Sequence, residues 1–224
     1  MTDYTLVRSR RKTVALYVRD GALEVRAPLA TPKREIDRLV ASKQNWIADT
    51  LAESAERAAK RREFTLGYGH TVTYRQKEYP IVAADGNRAG FDDERFYMPP
   101  GLSPEQIKSV CVQIYRMIAK RDLTQKALEF ARRMNVLPAS VKINGAVCRW
   151  GSCSSRRNIN FSWRLIMADE DVIDYVVVHE LAHLTEMNHS PRFWGIVEGV
   201  FPDYRLRMAR LKELQRRLSC ENWE

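Results

Sequence analysis

The sequence of 224 residues contains only four cysteines, and none of them forms a CxxC pair. Cys148 and Cys153 are five residues apart, which does not match the spacing of a cysteine-rich zinc knuckle. A disulfide framework is therefore not expected. The scarcity of cysteine is typical of a protein from a reducing compartment.

The sequence also lacks long hydrophobic runs. No stretch approaches the ~18 consecutive apolar residues that a membrane-spanning helix requires. The basic residues near the N-terminus are not followed by an apolar stretch, so no secretory signal is predicted. We therefore expect a cytoplasmic protein that does not associate with a membrane.

Acidic residues are outnumbered, with 28 Asp and Glu against 37 Lys and Arg, and the net charge is +9. This balance excludes an acidic solvating tail, and the 45% hydrophobic content is that of a globular protein. Excess positive charge attracts anionic partners such as nucleotides or nucleic acid, so weak nucleic-acid association is one expectation. Charge alone does not distinguish such a surface from a solvated basic one.

The N-terminal part of the chain is predicted to be rich in β structure, with one long helix. Residues 13–19 and 23–26 alternate apolar and polar side chains around Asp20-Gly21, which is a strong hairpin signal. Thr31 and Pro32 then predict the N-cap and first residue of the helix.

A second β segment is predicted over residues 67–98, and Pro99-Pro100-Gly101 is the clearest break in the sequence. We therefore expect an N-terminal β-rich region over residues 1–100 and a catalytic domain over residues 101–224. The strands of the N-terminal region are expected to be antiparallel.

The C-terminal part begins with a capping box, in which Ser103 precedes Pro104 and Gln106. A long amphipathic helix follows, with a bend expected near Arg121. Residues 141–147 and 159–166 are predicted to be strands joined by a loop. The carboxylates at positions 169–171 predict the start of another helix, because negative charge is favourable at a helix N-terminus. Residues 202–218 are predicted to form a basic helix.

The helix after residue 171 carries an HExxH motif, His179-Glu180-Leu181-Ala182-His183, among apolar residues. Histidines at positions i and i+4 lie one turn apart on the same face, so both imidazoles can bind one metal ion. Glu180 projects beside the metal, where its carboxylate can accept a proton from water. The motif therefore predicts a catalytic metal site.

His189 is the expected third ligand. Ser190 and Pro191 predict the start of a new helix, so the chain has to turn near Asn188 and can return His189 to the metal. Three protein ligands leave the fourth position open for water, and three imidazoles suit one zinc ion. Glu186 is a rival oxygen ligand or a residue supporting the ligands, and Cys153 is a weaker candidate for a fourth ligand.

Further motifs surround the HExxH sequence in a characteristic order, and together they resemble the YgjP-like metallopeptidase family, a bacterial group of metal-dependent hydrolases. The motifs are Arg149-Trp150-Gly151-Ser152-Cys153, Asn158-Ile159-Asn160-Phe161, Trp163-Arg164-Leu165-Ile166, Tyr175-Val176-Val177-Val178-His179-Glu180-Leu181-Ala182-His183, Asn188-His189-Ser190 and Phe193-Trp194.

The resemblance implies an α+β protein whose C-terminal part is a small zincin-like, minigluzincin-type helical domain with a short antiparallel sheet, related to the SprT and WLM peptidases. It also implies that His179, His183 and His189 bind the metal and that Glu180 is the general base. The family name indicates a peptidase, but it specifies metal-dependent hydrolysis better than it specifies the substrate.

Three polar residues are candidates for substrate contacts. If Ile159 and Phe161 face the core, Asn160 and Arg164 face the other side of the strand. This strand could pair with an extended peptide by strand addition, and Arg149 and Arg164 could instead bind phosphate oxygens.

We therefore expect a zinc-dependent hydrolase, in which Glu180 activates water for attack on a peptide carbonyl. Two alternatives stay open. One is a hydrolase of nucleotides or phosphoanhydrides, such as a nucleoside triphosphate pyrophosphatase, and the other is a nucleic-acid-binding module with a structural zinc ion.

Overall fold

A computed structural model describes residues 3–19 and 21–223. Over these residues the chain contains ten strands, six α-helices and one 3₁₀ helix, which confirms the α+β class. The contacts between residues divide the chain into two units. One unit contains the residues up to Phe64 together with Ser219–Asn222, and the other contains Thr65–Leu218 together with Trp223.

The first unit contains a three-stranded sheet formed by β1 (Thr5–Ser9), β2 (Ala15–Arg19) and β3 (Ala22–Pro28). The central strand β3 pairs antiparallel with β2, as predicted, and parallel with β1. Asp20, the first residue of the predicted turn, lies outside the described residues. Gly21 has a φ of 75°, a conformation that glycine adopts without steric cost.

Two helices follow, α1 (Lys33–Ser42) and α2 (Gln44–Glu63), where the sequence predicted one. They are separate because Lys43 leaves the helical conformation, with φ of −111° and ψ of 15°. The predicted cap is also wrong, since Pro32 occupies the N-cap position and has no side-chain hydrogen bond there. The core of this unit consists of Leu23, Val25, Ala27, Ile36, Val40 and Ile47.

The second unit begins with a four-stranded sheet of β4 (Thr71–Tyr74), β5 (Lys77–Ala83), β6 (Gly90–Phe91) and β7 (Phe96–Met98), in the order β4-β5-β7-β6. The next element is α3 (Pro104–Arg133), which starts with the predicted capping box and runs without interruption through Arg121.

The division into units differs from the predicted boundary between residues 100 and 101, because the four-stranded sheet is bonded to α3. The Tyr115 hydroxyl on α3 donates to the Thr73 carbonyl oxygen at 2.7 Å. The Tyr74 hydroxyl donates to Asp122 Oδ2 on α3 at 2.6 Å. These side-chain bonds join segments 42 and 48 residues apart, and no local sequence pattern reports them.

A third sheet consists of β8 (Ser140–Asn144), β9 (Gly151–Cys153) and β10 (Asn158–Ser162), in the order β8-β10-β9. β10 pairs parallel with β8 and antiparallel with β9. The sequence placed the segment that forms β9 in a loop. It also extended β10 too far, because Trp163–Met167 forms a 3₁₀ helix whose five residues are all buried. The strand prediction assumed that buried and exposed side chains alternate along residues 159–166, as they do in a strand with one exposed face. Residues 163–167 are instead all buried, so the assumption fails there.

The chain ends with α4 (Glu170–Ala182), α5 (Pro191–Val200) and α6 (Tyr204–Leu218). Asp169 caps α4, as its side chain accepts a hydrogen bond from the Val172 amide at 3.1 Å. None of the helices in the described part of the chain has the length and apolar character needed to cross a membrane.

Candidate metal centre

Three histidines converge at the C-terminal end of α4. His179 lies in the last turn of α4, His183 is its C-cap residue, and His189 lies in the segment between α4 and α5. One potential ligand atom from each side chain lies within 4.8 Å of the others. The sequence prediction that these three residues meet therefore agrees with the geometry.

The connection between α4 and α5 returns His189 to the helix that it has just left. The amides of Leu184 and Glu186 donate to carbonyl oxygens in the last turn of α4, at 3.0 and 2.9 Å. Ser190 then caps α5 by accepting a hydrogen bond from the Phe193 amide at 3.3 Å. The tight turn and the cap together determine where His189 lies, as the Ser-Pro signal in the sequence indicated.

The protonation states of His179 and His183 fit a metal ion. His183 Nδ1 lies 3.1 Å from the Glu186 carbonyl oxygen, which only accepts hydrogen bonds, so Nδ1 carries the proton and Nε2 carries the lone pair. Burial, followed by the neighbouring His183 and His189, lowers the pKa of His179 to about 3. A neutral imidazole is the form that binds a metal.

The distance between two of the rings also fits. His179 Nε2 and His189 Nε2 lie 3.1 Å apart, and two lone pairs at that distance repel unless a proton or a cation lies between them. Two nitrogens bound to one tetrahedral zinc ion are about 3.3 Å apart, given Zn–N distances near 2.0 Å. The histidine cluster therefore has close to the spacing that a shared metal ion requires.

An aromatic pair on α5 supports the histidines. The ring centroid of Phe193, which is fully buried, lies 4.9 Å from that of His179, 4.5 Å from that of His183 and 4.7 Å from that of His189. The indole of Trp194 stacks on His189, with a centroid distance of 5.7 Å. From the sequence, both aromatic residues were identified only as one of the family motifs, and their spacing from His189 was the only signal of their place beside the ligands.

Glu180 lies on the buried side of α4, with 6% of its surface exposed. Its side chain contacts the backbone of Gly151 in β9. Burial raises the pKa of Glu180 to about 7, although the positive charge of Arg149 opposes this shift. A general base is most efficient when its pKa is near the working pH, so this environment suits proton transfer at neutral pH.

The predicted substrate contacts have different surroundings. Arg149 is exposed just before β9, whereas Asn160 lies in the central strand β10, opposite Ser152 of β9. Arg164 is 7% exposed, and its guanidinium donates to the Gly145 carbonyl oxygen at 2.8 Å. Arg164 belongs to the 3₁₀ helix and not to a strand, and all five residues of that helix are buried. Contacts of these three residues with a substrate stay predictions.

The open edge of this sheet also differs from the prediction. The sequence assigned it to the strand directly before the metal helix, which is β10. The observed order places β9 at the edge and β10 in the centre, so a peptide could be added only beside β9 or β8.

Neither rival ligand joins the cluster in the described part of the chain. The group of residues spaced to hold a metal contains the three histidines without Cys153 or Glu186. Glu186 contributes its carbonyl oxygen to His183 instead, and burial raises the pKa of the Cys153 thiol. The arrangement therefore leaves a position open for water or substrate.

Comparison with known proteins agrees with this site. The family described as "YgjP-like, metallopeptidase domain" matches residues 12–214. The match covers most of the chain, and the chain therefore belongs to the YgjP-like metallopeptidase family. Membership implies a divalent metal ion, and the three histidines are the described residues grouped to hold one.

Two solved structures are similar to parts of the chain. The metallopeptidase zymogen of Pyrococcus abyssi abylysin is 23% identical, with a TM-score of 0.38, over 45% of this chain and 97% of that chain. The metallopeptidase zymogen of Methanocaldococcus jannaschii jannalysin is 20% identical, with a TM-score of 0.37, over 42% of this chain and 96% of that chain. No curated protein matches the chain.

Proposed function

We propose that the protein is a zinc-dependent peptidase in which His179, His183 and His189 bind one zinc ion and Glu180 is the general base. The observation that carries the proposal is the convergence of three histidines on the helix that also holds a buried carboxylate with a pKa near 7. A bound zinc ion would supply Lewis acidity and lower the pKa of water.

The residues of the chain have separate tasks in this proposal. The neutral imidazoles of His179 and His183 present lone pairs, and the turn before α5 brings in His189. Glu180 takes a proton from water and returns it to the leaving amine. The small exposed fraction of Glu180 keeps bulk water away from its carboxylate.

The edge strand β9 supports a peptide as the substrate. It pairs with β10 on one side, and its position at the edge leaves the other side available for an extended chain. Its first residue, Gly151, contacts Glu180, so a peptide added beside β9 would run next to the proposed base. Main-chain hydrogen bonds would bind such a peptide with little dependence on its sequence.

A specific observation favours a second candidate, hydrolysis of a phosphoanhydride bond in a nucleotide. Arg149 and Arg156 are exposed on either side of β9, and the structure gives neither of them an ion pair within the described residues. Such arginines can bind phosphate oxygens. The same groups would also attract an acidic peptide, so charge alone does not decide between the substrates.

The deciding experiment compares the zinc-loaded wild type with Glu180→Gln on a panel of peptides, unfolded proteins and nucleoside triphosphates. The amide of glutamine cannot accept the proton, so we expect peptide cleavage by the wild type and a loss of about a thousandfold in the variant. Zinc content should be equal in the two proteins. Full activity of Glu180→Gln would refute the mechanism.

The other outcomes identify the remaining candidates. Nucleotide hydrolysis that disappears in Glu180→Gln, without peptide cleavage, would establish the second candidate. Nucleic-acid binding that falls steeply with salt, without any hydrolysis, would instead favour a binding module with a structural zinc ion.

A further inference from the structure

Gly151 is the first residue of β9, and its α-carbon faces the side chain of Glu180. A β-carbon built at this position would lie 2.5 Å from both Cγ and Oε1 of Glu180 and 2.7 Å from its Cδ. Real β-carbons do not approach other atoms this closely, so any larger residue at position 151 would have to move Glu180 or the strand.

The backbone does not require glycine at this position. The described glycines with positive φ are Gly21, Gly69, Gly86 and Gly101, and Gly151 is not among them. Alanine could therefore adopt the same backbone conformation, and in a strand it would lose less conformational entropy on folding. The contact with Glu180, and not the backbone conformation, is what disfavours a side chain at position 151.

The carboxylate of Glu180 is held by packing. Within the described residues, the structure shows no hydrogen bond or ion pair to this carboxylate, and Arg149 acts on it only through its charge. The side chain is nevertheless almost fully buried. Its direction is therefore set by the surfaces on which it lies, and the bare backbone of Gly151 is one of them.

We propose that Gly151 is a positioning residue of the active site, whose missing side chain provides the space that the Glu180 carboxylate occupies against β9. The proposal rests on the proposed function in one respect, the role of Glu180 as the base. It adds that the geometry of this base depends on a residue in the sheet as well as on the helix that carries it.

The first test replaces Gly151 with alanine and compares zinc content and turnover. The atoms nearest to the new methyl group belong to Glu180 and not to a histidine, so we expect the same zinc content as in the wild type. A displacement of the base by about 1 Å can reduce kcat by about a hundredfold. Gly195→Ala in α5 is the matched control, because a β-carbon there meets no atom within 4 Å.

The second test measures stability and does not depend on activity. Gly151→Ala is introduced into the zinc-free wild type, Glu180→Gln and Glu180→Ala, and the melting temperature is followed by circular dichroism. Glutamine has the shape of glutamate, so the first two proteins should each lose roughly 5 °C. The loss should be largely absent in Glu180→Ala, which lacks the atoms that the methyl group meets.

The outcomes separate this inference from the proposed function. An equal loss of melting temperature in all three proteins would overturn the inference, as would wild-type turnover in Gly151→Ala. If Gly151→Ala does not fold, recovery of folding in the double variant with Glu180→Ala supports the inference, and failure of that double variant overturns it. Full activity of Glu180→Gln would refute the proposed base while leaving the stability coupling intact.

Discussion

Each of the three histidines is oriented by a different neighbour. The ring of His179 packs edge-on against Phe193, His183 donates to the Glu186 carbonyl oxygen, and His189 stacks on Trp194. Fixing the second nitrogen or the ring plane of a ligand raises its affinity for a metal. The imidazoles are therefore arranged before a metal binds, which reduces the entropy lost on binding.

At the scale of single residues, we predict that His183→Ala removes the metal. One ligand of three is lost, and the remaining histidines leave zinc with an incomplete coordination shell. Elemental analysis after dialysis should show about one equivalent of zinc in the wild type and far less in the variant.

His70→Ala is the control for this experiment, because His70 is exposed and lies outside the histidine cluster. It should retain the zinc content of the wild type. Unchanged zinc in His183→Ala would contradict the assignment of this residue as a ligand.

At the scale of elements, the start of α5 links helix capping to the metal centre. Ser190 caps α5 directly after His189, and the second and third residues after the cap are Arg192 and Phe193. Phe193 contacts all three histidines. Fraying of this helix end would therefore move both a proposed ligand and the ring that supports the other two.

We predict that Ser190→Ala weakens zinc binding as well as the helix. Loss of an N-cap costs about 1 kcal/mol of folding stability, and part of this cost should appear as roughly two- to fivefold weaker zinc affinity. Competition with a chelator measures the affinity, and thermal unfolding measures the stability.

Ser103→Ala provides the comparison, since it removes the N-cap of α3, which lies away from the histidines. It should lower stability by a similar amount and leave zinc affinity unchanged. Equal zinc affinities in the two variants would show that capping of α5 does not affect the ligand.

At the scale of the molecule, a network of charges joins the elements of the second unit. Asp122 on α3 accepts hydrogen bonds from Tyr74, Arg75 and Arg121, at distances of 2.6, 3.0 and 2.7 Å. Arg75 also pairs with Glu170 at the start of the metal helix. The four-stranded sheet, α3 and α4 are thus tied together through one buried carboxylate.

We predict that Asp122→Asn lowers the free energy of unfolding by about 2 kcal/mol at pH 7, because charged hydrogen bonds are weakened. Burial by itself raises the pKa of Asp122, but the hydrogen bonds from Tyr74 and Arg121 outweigh it and hold the pKa below 3.8. The stabilisation is therefore present above the pKa of the unfolded state and is lost as the pH falls through that of the folded state.

The difference between the wild type and Asp122→Asn should accordingly shrink below pH 3.8, as measured by denaturant unfolding across pH. Asp85→Asn, at an exposed loop position, should differ little from the wild type at any pH. A difference for Asp122→Asn that does not change with pH would contradict the ionised form of this carboxylate.

Part of the positive charge of the molecule forms ion pairs within the fold. Arg210 and Arg207 on α6 lie 2.6 Å from Asp169 and 3.9 Å from Asp171, at the acidic start of α4. Part of the basic face of α6 is therefore paired with the metal helix. The exposed arginines beside β9 and the basic residues of α2 leave the prediction of an anionic partner open.

The sequence by itself determined the features that depend on neighbouring residues. The caps at Ser103 and Ser190 and the HExxH motif follow from contacts within about four residues, where helix geometry relates spacing to position. The prediction of one long helix after residue 31 was wrong, because the apolar periodicity continues across the break at Lys43.

The tertiary structure alone decided the features that join distant segments. β9 is a strand because β10 pairs with it, and Gly151 matters because Glu180 lies against it from another element. Tyr74 and Tyr115 form hydrogen bonds between the four-stranded sheet and α3, segments that are far apart in the sequence. Such contacts leave no periodic signal in the chain, since they arise only when packing brings separate elements together.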